Sequence, residues 1–515
     1  MKTKESLFSV LIIGIVVFLM ATSSWGAGPV RGGEFKASMD LEPVSGDPLF
    51  GNGTYSDRHF FNLFYENLIR LTGEGEFIPL LAEGWDFAPD NKSITFKLRK
   101  GVIFHDGTPF NAEVAKWNLD RARDPKLNAP HSKDLIAINS VDILDDDTIR
   151  VNMEKPSASV MAMLAFEGGS MISPTAYKNM GRDFARNPVG TGPYKFVKWI
   201  GSDRVMGERF DGYWQNGLDG NKLPYMDKVT VRFIANTTVK LMEIKAGNIY
   251  LADNIQVKDF KSVETDPKLK LVDRPHGIHQ FMCFNVTKPP FDNKDLRLAV
   301  CYGINREAIM KVITRGYGTV TPTIVQPNEF IYTQDLPTHT YDPAKSKEHL
   351  KKSGFTGQVV VSVIQRDPDT QIAQLIQAQL KEVGIDMKIE VLERKAWVAK
   401  VITKDRKFHA GTLRTMSPAP DPDFNFAKYF GRNASLNWDG LSNEVLFEVV
   451  EKGAQVLDRE KRKVYYKKAQ EVLLSEGFYA FLFTRPVKDV ALSKVHNVRR
   501  DLNGSWRLGE VWMDK

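Results

Sequence analysis

Between residues 93 and 99 apolar and polar side chains alternate strictly. Ile94, Phe96 and Leu98 fall on one side, Thr95, Lys97 and Arg99 on the other. A period of two predicts a half-buried strand. "VDILDDDTIRVNM" (141–153) places two short alternating runs around Asp145, Asp146 and Asp147, the pattern of a hairpin with a solvated acidic tip. Alternation returns at 193–199, where Tyr194, Phe196, Val197 and Trp199 are apolar, and strands are also predicted in "KVTVRFI" (228–234) and "QFMCFNV" (280–286). A helical period appears at 58–71, with Phe61, Phe64, Leu68 and Leu71 on one face and Ser56 or Asp57 as cap. "HDGTPFNAEVAKW" (105–117) predicts a turn at Asp106-Gly107 and then a helix capped by Asn111. Helices are predicted over 293–313, interrupted near Gly303, and over 443–475. The clearest unit is 358–392. "QVVVSVIQ" is a near-continuous apolar strand. A helix with Ile372, Leu375, Ile376, Leu380 and Val383 on one face follows and stops at Gly384, before the strand "IDMKIEVLE". Strand, helix, strand in that order predicts parallel pairing with a right-handed crossover. The fold class is α/β, with mixed sheets in more than one domain. A chain of 515 residues suggests about three domains at roughly 150 residues each.

The first residues break this pattern. Lys2 and Lys4 precede an apolar run from Leu7 to Met20, followed by Ala21, Thr22, Ser23 and Ser24. That is the layout of a secretory signal, here expected over residues 1–26, with an apolar run shorter than the ~20 residues a span requires. No cysteine lies there to carry a lipid anchor. The mature chain is expected to be exported. A formal charge of +7 without long Lys/Arg blocks gives no support for a nucleic-acid partner. The two cysteines, Cys283 and Cys301, sit in apolar surroundings and read as buried thiols, although export permits a disulfide.

Several stretches look chemical. Gly190-Thr191-Gly192 in "NPVGTGPYKFVKW" lacks the P-loop spacing and is followed by Pro193 and a strand, so it reads as a turn re-entering a sheet. His105-Asp106 has no ligand-spaced histidine partner, and Asp145–Asp147 lacks the spacing of a calcium loop. There is no G-x-S-x-G and no catalytic pair, which leaves an exported hydrolase as a weak alternative. In "LRTMSPAPDPDFNFAKYF" (413–430), Arg414, Asp421 and Asp423 stand among prolines and aromatics. They could form one lip of a ligand cleft, with Phe424 as an apolar wall.

Long stretches of the chain resemble, in order, the periplasmic solute-binding proteins of the peptide/nickel class of ABC transporters. They are 78–125 ("IPLLAEGWDFAPDNKSITFKLRKGVIFHDGTPFNAEVAKWNLDRARDP"), "NPVGTGPYKFVKW", "NKDLRLAVCYGINREAIMKVITRGYG", "YDPAKSKEHLKKSGF", "AQLKEVGIDMKIEV" and "DPDFNF". The resemblance implies a two-lobed, hinged fold of the large three-domain subclass. Lobe I would be discontinuous over 27–57, 190–275 and 484–515, with an inserted domain at 58–189 and lobe III at 276–483. It implies a monomeric periplasmic receptor that captures a small organic ligand between its lobes and delivers it to the membrane permease, with neither cofactor nor catalysis. A receptor or peptide-holding protein uncoupled from transport would use the same fold.

In dipeptide-binding members an arginine after the first strand of the βαβ unit clamps the peptide carboxylate, and Arg366 stands there. Those members also carry an aspartate three residues before the acidic-proline pair, where this chain has Pro418. Nickel-binding members have a histidine just after that pair, where this chain has Asp423. Metal transport is therefore not expected. Besides Arg366, the candidate ligand residues are Asp421, Asp423, Arg414, Arg394, Trp397, Trp438, Phe424 and Asp40.

Overall fold

The computed structural model describes residues 28–402, 407–408, 411–416 and 421–514, without the side chains of 133 and 414–416. The expected signal segment 1–26 and Pro418 lie outside the described residues.

Three sheets organise the chain. The largest has seven strands in the order Tyr194–Ile200, Arg204–Arg209, Lys228–Phe233, Glu34–Met39, Leu251–Ile255, Lys488–Leu492 and Leu269–Asp273. The first strand in the chain thus lies at its centre, parallel to both neighbours. A five-stranded sheet runs Asp386–Leu392, Gln358–Ile364, Gly411–Met416, Ile278–Phe284, Tyr479–Arg485. A four-stranded sheet runs Ala82–Phe87, Ser93–Leu98, Thr148–Met153, Ile138–Asp145.

Local patterning explains most elements. Ile94, Phe96 and Leu98 face the core of the four-stranded sheet, and its hairpin turns at Asp146 with Asp145 opposite Thr148. Asn111 caps Ala112–Arg123 by accepting from the Val114 N–H. Gln358–Ile364 and Asp386–Leu392 pair in parallel, joined by the helix Asp369–Glu382, whose Ile372, Ile376 and Leu380 are buried in the shared core. The helix predicted over 293–313 is two, Lys294–Gly303 and Arg306–Thr314, and the stretch 443–475 is likewise two, Glu444–Gln455 and Arg459–Ser475. Cys283 and Cys301 are buried thiols that are not joined to each other, facing the Thr412 and Tyr479 carbonyls.

The helix predicted over 58–71 is shorter and earlier. It spans Tyr55–Phe64 and is capped by Thr54, whose hydroxyl accepts from the Asp57 N–H while Asp57 reaches back to the Thr54 N–H. It ends because the backbone at 64–65 is needed elsewhere. The Gly192 N–H donates to the Phe64 carbonyl (3.0 Å), and Tyr65 is extended. Glu66–Asn67 and Ile69–Leu71 are then short strands. A Cβ on Gly190 would lie 2.2 Å from the Phe64 oxygen, so this approach requires glycine. His105 holds the same turn, with Nε2 at 2.9 Å from the Gly192 carbonyl and its own N–H on the Gly190 carbonyl. Thr191 donates to buried Glu66 (3.0 Å). Phe60, Phe61 and Phe64 pack in the core of the seven-stranded sheet, as do Ile172, Ala176 and Phe184. We therefore propose about 67–171 for the inserted unit in place of 58–189; the core around the four-stranded sheet draws on Leu68–Met171, with Leu49 added.

The chain passes between the two larger sheets twice. Asp273 pairs with Lys488 in one sheet, and Ile278 pairs with Arg485 in the other. The crossings 274–277 and 486–487 therefore run side by side. They are tied at buried Asp489. One of its oxygens accepts from Arg274 Nε and Nη2 (3.0 and 2.9 Å), the other from Arg500 Nε (2.6 Å) and Trp506 Nε1 (2.9 Å). The two guanidinium groups and the indole outweigh the cost of burial and pull its pKa down to about 2. Asp489→Asn would leave buried Arg274 and Arg500 without their anion and is expected to cost about 3–5 kcal/mol in urea or thermal unfolding. The stability Asp489 lends is present above the ordinary carboxylate pKa and is lost as pH falls towards about 2. The variant's stability should therefore depend less on acid than that of the wild type.

Candidate functional site

Strand directions bring the ligand candidates to one edge. Tyr479–Arg485 ends, and Ile278–Phe284 begins, at the crossings. Gly411–Met416 is antiparallel to Ile278–Phe284, while Gln358–Ile364 and Asp386–Leu392 run parallel to Gly411–Met416 and to each other. The C-terminal ends of four strands thus lie on the crossing side. That places Arg366, Arg394, Asp421 and Arg485 along one rim of the sheet.

Two adjoining chambers, which share Asn425 and Leu502 in their walls, lie between this rim and the rest of the molecule. The first, of about 430 Å³, is walled on one side by His276, Glu329, Phe330, Asp421 and Asn425. Leu71, Phe77, Trp85, Met161 and Leu502 form the facing wall. The second, of about 670 Å³, lies between Phe424, Lys428 and Tyr429 on one side and Arg58, His131, Met163 and Phe166 on the other. Polar contacts bridge the walls at two described places. The Ala158 N–H donates to the Ala454 carbonyl (2.9 Å), and Arg459 Nη1 donates to Glu76 (2.8 Å) while Nη2 meets the Gly75 carbonyl.

Most charges on the walls are already matched. Asp421 is buried, caps the helix Pro422–Phe430, and takes Arg462 on both oxygens (2.8 and 2.5 Å). Arg58 pairs with buried Glu167 (2.6 Å) and donates to the Asn503 carbonyl (3.0 Å). His131 Nδ1 lies 2.7 Å from Asp134. Two groups are different. Burial pushes the Glu329 carboxyl up to about 8, offset only by the Gln326 backbone N–H. The Lys428 ammonium sits 3.2 Å from the centre of the Phe424 ring, and burial lowers its pKa.

The nine sequence candidates separate. Asp421 lines the first chamber and Phe424 the second. Asp421 is spent on Arg462, contrary to the expectation that it orients a ligand. Asp423 is pushed up to about 6 by burial and by neighbouring Asp421, an effect that the Ser159 hydroxyl across the gap partly offsets. Arg366 lies outside the walls of both chambers, with Nε and Nη2 each 2.8 Å from Asp369 and its side chain 43% exposed. Asp40 is bound to fully buried Lys240 and to Asn254 Nδ2 (2.5 Å), which makes it part of a buried charge cluster with Asp253 and not a cleft residue. Trp397 donates to the Thr412 hydroxyl (3.0 Å), and Arg394 is exposed at the start of the helix Arg394–Val401. Neither Trp397, Arg394 nor Trp438 lines a chamber. Arg414 stands opposite Phe281 in the sheet, and its side chain lies outside the described residues. Sequence reasoning missed Glu329, Lys428 and Arg462.

Two sheet-based lobes joined by paired crossings, with a cavity between them, define a solute-binding protein. The chain belongs to the bacterial extracellular solute-binding proteins, family 5, whose model (family 5 Middle) matches residues 76–437, and it is a substrate receptor of the ABC-importer kind. It is 31% identical over 483 residues to the glutathione-binding protein GsiB of Pectobacterium atrosepticum, covering 92% of this chain and 91% of that one. Its fold matches the ABC transporter substrate-binding protein CtaP of Listeria monocytogenes with TM-score 0.85 at 23% identity, over 94% of this chain and 100% of that one. It matches the periplasmic binding protein DppA of Helicobacter pylori, solved with the peptide STSA, with TM-score 0.77 at 26% identity, over 94% and 99%.

Because the folded chain holds the Asp423 proton more tightly than the unfolded chain, this carboxyl favours folding most at low pH. The contribution is lost as pH rises through about 6. Asp423→Asn is expected to flatten the fall in melting temperature between about pH 4 and pH 6, which differential scanning calorimetry across that range would check.

Proposed function

We propose that this chain is the periplasmic, monomeric receptor of an ABC importer for a small peptide of the glutathione kind, carrying more than one carboxylate. It passes the solute unchanged to the transmembrane permease. The observation that carries this reading is the pair of adjoining chambers between the lobes. Their volumes fall in the ~300–1,000 Å³ range of small-molecule sites, and their walls mix aromatic surface with a few polar groups. The relative named for glutathione supports the ligand class.

Arg366 keeps a role as a carboxylate seat on the rim. Arg366 and Arg485 both act electrostatically on Asp369, which leaves one guanidinium charge in excess there. A guanidinium fork suits a carboxylate.

A thermal-shift panel of glutathione, Gly-Gly, Ala-Ala-Ala and Met-Leu tests the ligand class. A binding member at 100 times its Kd adds ~2.7 kcal/mol of stability, and mass spectrometry should recover it unaltered. Turnover, or no stabilisation by any member, overturns the reading. Arg366→Ala is expected to weaken binding of the best member at least about tenfold, ~1.4 kcal/mol. Unchanged affinity removes Arg366 from the site and leaves the ligand class standing.

A further inference from the structure

Two oppositely ionisable groups without ion-pair partners among the described residues face the two adjoining chambers. Glu329 lines the first, and its carboxyl takes part in no ion pair among the described residues. Its charged neighbours on the chamber walls are occupied or neutral. Arg462 is held by Asp421 and Arg459 by Glu76, while burial pushes His276 down to about 4. Glu74 is exposed, and Thr72 and its own backbone hold its carboxyl below the usual range. Lys428 lines the second chamber, and its ammonium has no carboxylate within ion-pair distance among the described residues. Asp134, the nearest anion felt there, is bound to His131. The centre of the Phe424 ring lies 3.2 Å from the ammonium, and both side chains line this chamber.

A half-buried carboxyl without a cation and a half-buried ammonium without an anion each cost the folded protein free energy. Both costs are relieved by one molecule bearing the complementary charges at its two ends. The helix Pro422–Phe430 carries Asn425, where the chambers meet, three residues before Lys428. An extended solute could therefore pass from one chamber to the other along this helix. We infer that Glu329 and Lys428 are the two poles of a zwitterion site. Glu329 receives the ammonium end of the solute in the first chamber, and Lys428 receives a carboxylate in the second. This rests on the small-peptide reading above and adds the ligand's polarity and the residues that set it. Arg366 on the rim would then meet a second carboxylate.

Binding an ammonium beside Glu329 ionises its carboxyl, so uptake near neutral pH releases a proton to solvent. The test uses the panel member that binds best, its N-acetyl derivative and its carboxyl ethyl ester, titrated calorimetrically into the full chain. Wild type, Glu329→Gln and Lys428→Gln are compared, with each melting temperature as a folding control. Glu329→Gln is expected to weaken the parent peptide about tenfold or more and to leave the N-acetyl derivative within about twofold of wild type. Lys428→Gln should do the same for the parent and the ester. Repeating the titrations in two buffers of different ionisation heat should show proton release for wild type and none for Glu329→Gln. If the parent binds and the free-amine preference survives Glu329→Gln, the Glu329 pole is wrong. If the free-acid preference survives Lys428→Gln, the Lys428 pole is wrong. If no panel member binds wild type, the ligand class falls and this assignment falls with it.

Discussion

The buried carboxylate of Asp489 is the point on which this architecture turns. It lies one residue inside the Asp273–Lys488 pair that ends the seven-stranded sheet, opposite Val272, and Arg274 lies one residue outside that pair. Their ion pair fastens the two crossing segments where they leave the seven-stranded sheet. Arg500 and Trp506 bring in the C-terminal segment, and Asn254 donates its N–H to the same carboxylate (3.1 Å). Two regions more than two hundred residues apart in the chain meet at one anion. A charge buried this deeply is tolerated only when fully paired, so any register error among these stretches exposes the full desolvation cost. The constraint selects the arrangement in which the two crossings lie side by side.

That arrangement decides what the second lobe can do. With Ile278 and Arg485 paired at its edge, the five-stranded sheet must present its strand ends to the first lobe and the inserted unit. The loops that follow those ends then form the rim. The polar contacts across the gap include Ala158 to Ala454 and Arg459 to Glu76, beside apolar ones in which Phe424 and Tyr317 pack on the facing cores. Contacts of this kind yield to rigid-body separation more readily than a continuous apolar seam. The apolar clusters divide by sheet apart from Phe424 and Tyr317, which pack on clusters of the facing side, so parting the lobes withdraws those two side chains and leaves the clusters themselves intact.

Much of the fold was legible because its elements follow local rules. The parallel pair around 358–392, the hairpin at Asp145–Asp147 and the Asn111 cap depend on periodicity and capping within a few residues. The helix predicted over 58–71 failed because its apolar period continues past Phe64, whereas the backbone there is claimed by Gly192, more than a hundred residues later. The site was less legible for the same reason. Asp421 looked available because Arg462 is 41 residues away in the chain, and Asp40 looked available because Lys240 is 200 away. Glu329 sits in "QPNEFIY" and Lys428 in "FNFAKYF", contexts that read as an ordinary loop and an ordinary helix surface.

Chemical appearance in the sequence and chemical availability in the structure therefore run in opposite directions here. The glycines and threonine around residue 190 look like a phosphate cradle, yet the Gly192 N–H is spent on the Phe64 carbonyl, the Thr191 hydroxyl on the Glu66 carboxyl, and the Gly190 and Gly192 carbonyls on His105. The same holds for Asp421, whose carboxylate is divided between a helix cap and Arg462. A fold pairs the charges it needs for itself, and pairing removes them from ligand chemistry. What remains for a solute is charge that the protein leaves unbalanced at a cost to its own stability. Such a cost persists only at a place that something else will fill, and between these lobes Glu329 and Lys428 carry it.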